Sequence, residues 1–185
     1  FPIQDEMGRV IGFSGREISG RKDVAKYINS PETAVFRKNR VFFGLDRARR
    51  QLVEKRVAII CEGQIDTIRC HEAGLCNVVA SQGTALTENH ARLINRYADA
   101  VILLLDADTA GQDAALRSAQ VFLGQGLDVR VANLPPGEDP DSLILHQGVD
   151  TLKTRLGKAL PVIDFQWALY GTRENLEDPA ARQRA

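Results

Sequence analysis

Long hydrophobic runs are missing from this 185-residue sequence, and their absence argues against a membrane-spanning helix. No apolar run approaches the roughly 20 residues that a helix needs to cross a bilayer. No signal peptide is visible at the start of the chain. The chain begins with Phe1-Pro2-Ile3 rather than with Met and continues directly into strand-like sequence. We therefore expect a piece of a longer protein that has no membrane partner.

Cysteine patterns typical of metal sites are also missing. The three cysteines, Cys61, Cys70 and Cys76, have no zinc-site spacing and form no even set of partners. Cys61 ends an apolar run and Cys70 lies in a helical pattern, which favours buried, reduced thiols. The three histidines, among them His90, are scattered along the chain and are predicted to lie on helix surfaces. Zinc binding by this chain is therefore not expected.

The net charge is zero, but the charges are unevenly distributed. Residues 1–56 contain 13 Lys/Arg against 7 Asp/Glu, whereas the remainder contains 11 against 17. This division indicates a first part that binds a polyanion and a second part that binds cations. Chance variation along a solvated surface is the alternative explanation.

Short apolar segments alternate with helical patterns from residue 57 onward. The apolar segments 57–61, 77–80, 100–105 and 128–134 predict buried strands. The segments between them, at 65–73, 87–97 and 109–123, predict helices, and Thr87 is a plausible N-cap. This alternation predicts an α/β fold with a central parallel sheet flanked by helices.

The regions on either side of this alternation have other patterns. Residues 1–13 are typical of a hairpin with Met7-Gly8 near its turn, and residues 46–55 are typical of a charged helix. A turn rich in Pro and Asp follows residue 134 and leads into short helices. We predict a small mixed α+β basic part before the α/β domain, short C-terminal helices after it, and a first boundary near 54–56.

Acidic residues follow the ends of three predicted strands. Ligands of an open parallel sheet bind beyond the carboxyl ends of the strands, so we expect these side chains to meet at one edge. The set comprises Glu62, Asp66, Asp106, Asp108, Asp139 and Asp141.

Carboxylates brought together in this way repel one another unless cations lie between them. Hard divalent ions such as Mg²⁺ prefer oxygen ligands and are commonly shared with a substrate phosphate. Gly63 and Gly111 would let the backbone approach such a phosphate closely. Single residues also have structural explanations: Asp108 as a helix cap, Asp66 as a first-turn acid, and 139–142 as a turn and helix start. Their shared location favours the metal site.

Two short motifs resemble the signatures of the Toprim fold. These are "EGQID" at 62–66 and "DADTAG" at 106–111, which are similar to the Glu and the DxD of that fold. The middle of the first signature usually reads EGYMD, so Gln64 and Ile65 depart from it, as Ala107 departs from the Gly common in the second. Neither departure removes a carboxylate. The resemblance implies metal-dependent chemistry on nucleic acids.

The first third narrows this resemblance to bacterial DnaG-type DNA primases. The segment "KYINSPETAVFRKNRVFFGLDRAR" at 26–49 and the hairpin at 1–16 resemble the part that precedes the Toprim domain in that family. "SQGTALTENH" at 81–90 and "LPPGEDPDSLI" at 134–144 are also similar to it. The resemblance covers roughly residues 1–150.

The resemblance implies a fragment of the RNA-polymerase core of a primase. The implied parts are 1–56 of the basic subdomain, a Toprim domain at 57–148, and the start of a helical subdomain at 149–185. Implied cofactors are Mg²⁺ or Mn²⁺, with zinc confined to an upstream domain. Implied partners are a single-stranded DNA template, ribonucleoside triphosphates, the RNA primer, and the replicative helicase through a downstream domain. The implied location is the replisome in the bacterial cytoplasm.

The resemblance also assigns roles to particular residues. Glu62, Asp106 and Asp108 are expected to be catalytic and metal-binding, with Asp66, Asp139 and Asp141 completing the metal site. The expected nucleotide- and nucleic-acid-binding residues are Arg16, Lys26, Tyr27, Asn29, Arg37, Lys38, Gly63 and Gly111. Arg40 would add charge, Tyr27 would stack on a base, and Phe36 is expected in the core.

Three alternatives stay open at this point. Another Toprim enzyme, such as a nuclease or a topoisomerase fragment, would share the carboxylates, although a topoisomerase also needs a tyrosine nucleophile. The motif "DADT" after an apolar strand also suggests a haloacid-dehalogenase-type phosphatase, which would leave Glu62 without a role. A non-enzymatic module that binds single strands would have no metal-dependent turnover.

Overall fold

The computed structural model describes residues 1–20, 23, 25, 27–105 and 109–173, and gives the backbone alone for 105, 109–112 and 171–173. Three predicted site residues, Lys26, Asp106 and Asp108, therefore lie outside the described residues.

The N-terminal part is a three-stranded antiparallel sheet. Its strands are β1 (Pro2–Gln4), β2 (Val10–Arg16) and β3 (Tyr27–Asn29), in the order β1-β2-β3. The turn between β1 and β2 is closed by the Gly8 N–H, which donates to the Asp5 carbonyl at 2.9 Å. Gly8 has a φ of 82°, a conformation that favours glycine. The predicted hairpin is confirmed.

The rest of the described chain alternates helices with strands. A single 3₁₀ turn, Lys38–Arg40, precedes the helix α1. The helices are α1 (Leu45–Lys55), α2 (Gln64–Glu72), α3 (Glu88–Asn95), α4 (Thr109–Leu123), α5 (Pro140–Gln147), α6 (Val149–Gly157) and α7 (Val162–Arg173). The strands are β4 (Val57–Cys61), β5 (Val78–Ala80), β6 (Ala100–Leu105), β7 (Asp128–Asn133) and β8 (Leu160–Pro161).

These strands form one sheet in the order β5-β4-β6-β7-β8. β4 pairs in parallel with β5 and β6, and β6 pairs in parallel with β7, which confirms the predicted parallel α/β sheet. The two-residue β8 joins the edge antiparallel to β7 and had no sequence pattern that predicted it. The carboxyl ends of β4, β6 and β7 therefore lie at one edge of the sheet.

Alternate residues of the central strands enter two separate hydrophobic cores, one on each face of the sheet. Ala58 and Ile60 of β4 pack with residues from α1, α3, α4 and α7. Ile59 and Cys61 pack with residues from α2, α5 and α6. Successive side chains of a strand point to opposite faces of the sheet. Because both faces are covered here, both sides of β4 are apolar. No helix in the described residues is long and apolar enough to span a membrane.

Several contacts hold the small sheet and the segment that follows it against the rest of the chain. Phe43 forms an antiparallel bridge with Ala80 at the edge strand β5, with N–H to carbonyl distances of 2.8 and 3.2 Å. Asn29 Nδ2 of β3 donates to the Gln82 carbonyl at 3.0 Å. These contacts hold β3 beside the loop that follows β5. Phe36 is fully buried with Ile3, which confirms its predicted place in a core. The predicted limits of the three domains stay a prediction.

The prediction that the histidines lie on helix surfaces is wrong for His90. Its ring is fully buried, and its Nε2 lies 3.0 Å from the Lys38 carbonyl and 3.3 Å from the Val41 carbonyl. The N–H of Thr87 donates to its Nδ1 at 3.2 Å. Burial lowers the pKa of His90, so the neutral ring is favoured. Its carbonyl partners lie about fifty positions earlier in the chain, so the local sequence held no signal for them.

Candidate active site

A cavity of about 240 Å³ lies beyond the carboxyl end of β4, and we call it the acidic pocket. Four carboxylates line it together with one arginine, one tyrosine and a glycine: Glu62, Asp66, Asp139, Asp141, Arg16, Tyr27 and Gly63. All seven belong to the predicted site. The structure thus brings together four of the six predicted carboxylates, which are contributed by the segments after β4 and β7.

Glu62 and Asp66 reach the pocket because the chain turns directly from β4 into α2. Glu62 is the first residue after β4 and is exposed, Gly63 is the N-cap of α2, and Asp66 lies in the first turn. Gly63 has φ −102° and ψ 148°, an extended backbone that any residue adopts. A Cβ at Gly63, however, would collide with Asp66 Oδ2. An alanine at this position would therefore require the Asp66 carboxylate to move.

The position of Asp66 is fixed by α5. The backbone N–H of Asp141 donates to Asp66 Oδ1 at 3.2 Å. Asp141 itself accepts a hydrogen bond from Arg69 Nε at 2.7 Å, and Arg69 also pairs with Glu72 at 3.0 Å. The Arg69 pKa is raised, first by its hydrogen bond to Asp141. Arg69 thereby offsets the negative charge of Asp141 and joins α2 to α5.

Asp139 has a structural role in addition to its place in the pocket. Its carboxylate accepts the backbone N–H of Ser142 at 2.7 Å and caps α5, whose first residue is Pro140. The helix-start explanation for this segment is therefore confirmed. One oxygen of Asp139 is already occupied by the cap.

The carboxylates change the titration of two neighbouring groups. Burial raises the pKa of Tyr27, Arg16 lowers it, and Asp66, Asp141 and Asp139 raise it further. The Arg16 guanidinium carbon lies 5.9 Å from the centre of the Tyr27 ring. Burial raises the pKa of the Cys61 thiol well above its usual range, and Asp66 raises it further. Tyr27 and Cys61 are therefore held in their neutral forms beside the pocket.

The donor chemistry of the acidic pocket fits a hard cation. Its acidic groups are carboxylates, and no histidine or cysteine of the described residues lines it. Within 1–20, 23, 25, 27–105 and 109–173, however, no group of three or more His, Cys, Asp or Glu side chains is arranged to hold a metal ion. The described carboxylates therefore do not complete a metal site by themselves. The predicted partners Asp106 and Asp108 lie outside the described residues.

The predicted nucleic-acid-binding residues are divided between two places. Arg16, Tyr27 and Gly63 line the acidic pocket, whereas Arg37 lines a separate cavity of about 410 Å³. This second cavity, which we call the basic groove, lies between the β1–β2 turn, the start of α1 and the end of α3. Lys38 lines neither cavity; its backbone N–H donates to Glu32 Oε1 at 2.9 Å. Gly111 lies in the first turn of α4.

Four arginines line the basic groove: Arg9, Arg37, Arg40 and Arg96. Arg9 pairs with Asp5 at 2.7 Å, and Arg96 pairs with Glu6 at 3.1 Å. Among the described residues, neither Arg37 nor Arg40 has a carboxylate partner, and both are exposed. Unneutralised arginines in a groove are suited to phosphates.

Sequence reasoning missed a buried pair of amides beside the acidic pocket. Gln64 and Gln82 are 5% and 1% exposed, and Gln64 Nε2 donates to Gln82 Oε1 at 3.0 Å. Gln64 departs from the usual Toprim signature, and its side chain is used here to join the loops after β4 and β5. Gln82 had no signal in the sequence, because burial of a polar loop residue depends on a partner elsewhere in the chain.

Two family models match the chain. Residues 1–49 match the model of the N-terminal domain of the DNA primase catalytic core, and residues 59–144 match the Toprim-like model. A DNA primase of Clostridium acetobutylicum is 40% identical over 96% of this chain, and the DNA primase of Escherichia coli K12 is 37% identical over 100% of it. The chain spans 29% and 32% of the length of these two relatives.

Solved structures of primases have the same fold. The Aquifex aeolicus primase, with its zinc-binding and RNA polymerase domains, superposes with a TM-score of 0.85 at 40% identity, over 96% of this chain and 43% of that one. A DnaG primase catalytic domain bound to single-stranded DNA superposes with a TM-score of 0.88 at 37% identity, over 100% of this chain and 58% of that one.

These matches agree with the site geometry. Primases of this family depend on metal ions, and the zinc-binding domain is a separate domain in the Aquifex protein. Both the small N-terminal sheet and the residues that line the acidic pocket fall within segments matched by the two models. The chain therefore belongs to the bacterial DnaG-type DNA primase family, as the part of the catalytic core that contains the Toprim domain.

Proposed function

We propose that this chain supplies the metal-binding and phosphate-binding part of a primase core that joins ribonucleoside triphosphates on a single-stranded DNA template. The observation that carries the proposal is the acidic pocket, in which Glu62 and Asp66 face Arg16 beyond the end of β4. Carboxylates beside an arginine suit a site for metal-bound triphosphate. We also place this activity in DNA replication in the bacterial cytoplasm, together with a helicase bound by another part of the longer protein.

The metal ligands in this proposal are Glu62 and Asp66 together with Asp106 and Asp108. When bound, Mg²⁺ or Mn²⁺ would neutralise the triphosphate and lower the pKa of the primer 3′-hydroxyl. Asp139 caps α5 and Asp141 pairs with Arg69, so each already has a structural partner. In this proposal they lie around the metal site.

In this proposal, the side chains of the chain position the substrates and neutralise their charge, and none of them reacts covalently. The primer 3′-oxygen forms the new bond to the α-phosphorus, the bond to pyrophosphate breaks, and the hydroxyl proton passes to water. Arg16 would bind the phosphates. The Asp141 N–H holds the Asp66 carboxylate in position, and the lack of a side chain at Gly63 leaves room for it. No covalent intermediate with the protein is required.

The basic groove gives a second place for polyanion binding. We assign it to the phosphates of the template strand, since Arg37 and Arg40 line it and have no carboxylate partner among the described residues. Contacts of this kind are sequence-independent and sensitive to salt. The structure of a related DnaG catalytic domain bound to single-stranded DNA supports template binding by this part of the core.

The alternatives account for fewer observations. A nuclease or topoisomerase would share the Toprim part, but the match of residues 1–49 is to a primase domain. A topoisomerase also needs a tyrosine nucleophile, and the sequence around Tyr27, Tyr97 and Tyr170 has no context that favours this role. A phosphatase of the haloacid dehalogenase type would leave Glu62 in the pocket without a role. A module that only binds single strands would not need paired acidic side chains.

Replacing Glu62 tests the proposed activity most directly. In the longer protein, Glu62→Gln should lower RNA synthesis with Mg²⁺ or Mn²⁺ by at least about 100-fold, because it removes a charge that offsets the cation. Synthesis is measured as short RNA made from ribonucleoside triphosphates on single-stranded DNA. The matched control is Asp128→Asn, at the amino end of β7, which should keep full activity. Undiminished synthesis by a folded Glu62→Gln protein would disprove the metal role.

Gly63→Ala tests the packing of Asp66. The new methyl group must displace the Asp66 carboxylate, so the metal concentration for half-maximal synthesis should rise roughly 10-fold, while the unfolding temperature changes little. In an Asp66→Ala background the same change should have no further effect on the metal requirement, because the collision partner is gone. Equal effects in both backgrounds would mean that Gly63 acts through something other than Asp66.

The double variant Arg37→Ala plus Arg40→Ala tests the basic groove. Its affinity for single-stranded DNA should fall, and the slope of log K against log salt should become shallower by about 1.4, the value for two lost phosphate contacts. Fluorescence anisotropy at several salt concentrations measures both quantities. Arg155→Ala plus Lys158→Ala, at the end of α6, removes the same charge as a control. Equal salt slopes for the two double variants would place the template elsewhere.

A further inference from the structure

A second cavity touches the acidic pocket on the other side of Glu62. It measures about 250 Å³ and lies between the loop that follows β5 and the helix α4. Among the described residues, Glu62 is the one that lines both this cavity and the acidic pocket. We call the second cavity the neutral pocket. Any group bound in it would therefore lie next to a proposed metal ligand.

The neutral pocket differs from the acidic pocket in its chemistry. Apart from Glu62, no Asp, Glu, Lys, Arg or His among the described residues lines it. Hydroxyl groups of Ser81, Thr84 and Ser118 line it beside the apolar Leu86. A triphosphate would find no cation here, whereas a sugar and a base would find hydrogen-bonding groups and an apolar wall.

The size of the neutral pocket favours part of a nucleotide over a whole one. Its volume of about 250 Å³ is below the roughly 300 Å³ at which pockets for complete small ligands begin. A ribose and base would occupy it, and their phosphate would extend outside. Arg16 and the carboxylates line the acidic pocket, which suits phosphates and their metal ion. The neutral pocket suits a ribose and a base.

The loop that forms one wall is held in place before any ligand binds. Gln82 points inward and is 1% exposed; its side chain accepts from Gln64 Nε2, and its carbonyl accepts from Asn29 Nδ2, both at 3.0 Å. Gly83 has a φ of 69° and turns the chain after Gln82. A loop held by contacts with both Gln64 and Asn29 is preorganised, which lowers the entropy cost of binding.

Primer synthesis requires two nucleotides at one metal site, one to provide the 3′-hydroxyl and one to provide the phosphorus. We propose that the neutral pocket binds the ribose and base of the nucleotide that provides the 3′-hydroxyl, while the incoming triphosphate occupies the acidic pocket. This assignment rests on the proposed function. The 3′-oxygen then lies beside Glu62, bonds to the α-phosphorus as pyrophosphate leaves, and loses its proton to water.

Ala85→Phe tests this assignment in the longer protein, because Ala85 is exposed and lines the neutral pocket, so that a ring there narrows the cavity without entering the core. Formation of the first dinucleotide is measured while the initiating and the incoming nucleotide are varied separately. The KM for the initiating nucleotide should rise about tenfold or more, and that for the incoming nucleotide should stay within about twofold. Ala168→Phe, at an exposed position of α7, is the matched control. If the KM for the initiating nucleotide were the same in Ala85→Phe as in Ala168→Phe, the assignment would be overturned.

A binding measurement separates this inference from the proposed function. A short RNA with 2-aminopurine at its 3′ end, annealed to a template, should lose fluorescence on binding the parent protein or Ala168→Phe, and should keep it with Ala85→Phe. Absence of RNA synthesis by the parent protein would refute the proposed function, whereas identical fluorescence with both variants would refute the neutral pocket alone. Thr84→Val, which preserves shape and removes a hydroxyl, replaces Ala85→Phe if that variant unfolds, with the same expected changes.

Discussion

Mutual repulsion among carboxylates at one sheet edge is the constraint that the arrangement of the site must satisfy. The chain's own groups offset part of the charge in the acidic pocket; the backbone N–H of Asp141, for example, donates to Asp66. Arg69 pairs with Asp141 at 2.7 Å, and the first turn of α5 donates a backbone N–H to Asp139. Glu62 and Asp66 lie nearest to the end of β4. In the proposed function, this is where the cation binds.

The same edge of the sheet is bounded by parts of the chain that come from both sheets. The bridge between Phe43 and Ala80 holds the segment before α1 against β5, and the bond from Asn29 to Gln82 holds β3 against the following loop. Arg16 of the first third and acidic residues of the Toprim part line one cavity. Glu62 lines both the acidic and the neutral pocket, and in the proposed function the two nucleotides meet there.

Local patterns predicted most of the sheet, and tertiary contacts account for what was missed. The apolar runs 57–61 and 100–105 correspond to β4 and β6 residue for residue, since a buried parallel strand needs apolar side chains on both faces. The convergence of acidic residues followed from the rule for strand ends. The pairing of Arg69 with Asp141 spans 72 positions, and the burial of His90 depends on carbonyls of a distant loop, so neither leaves a periodic or local signal.

The central claim is that a metal ion binds beyond β4 with Glu62 and Asp66 among its ligands. Its most direct test is anomalous diffraction from crystals of the longer protein soaked in Mn²⁺. We expect a manganese peak in the acidic pocket, with carboxylate oxygens of Glu62 or Asp66 at roughly 2.1 Å, the spacing expected for a hard octahedral ion. A peak elsewhere, or none near these two residues in a protein that makes RNA with Mn²⁺, would contradict it.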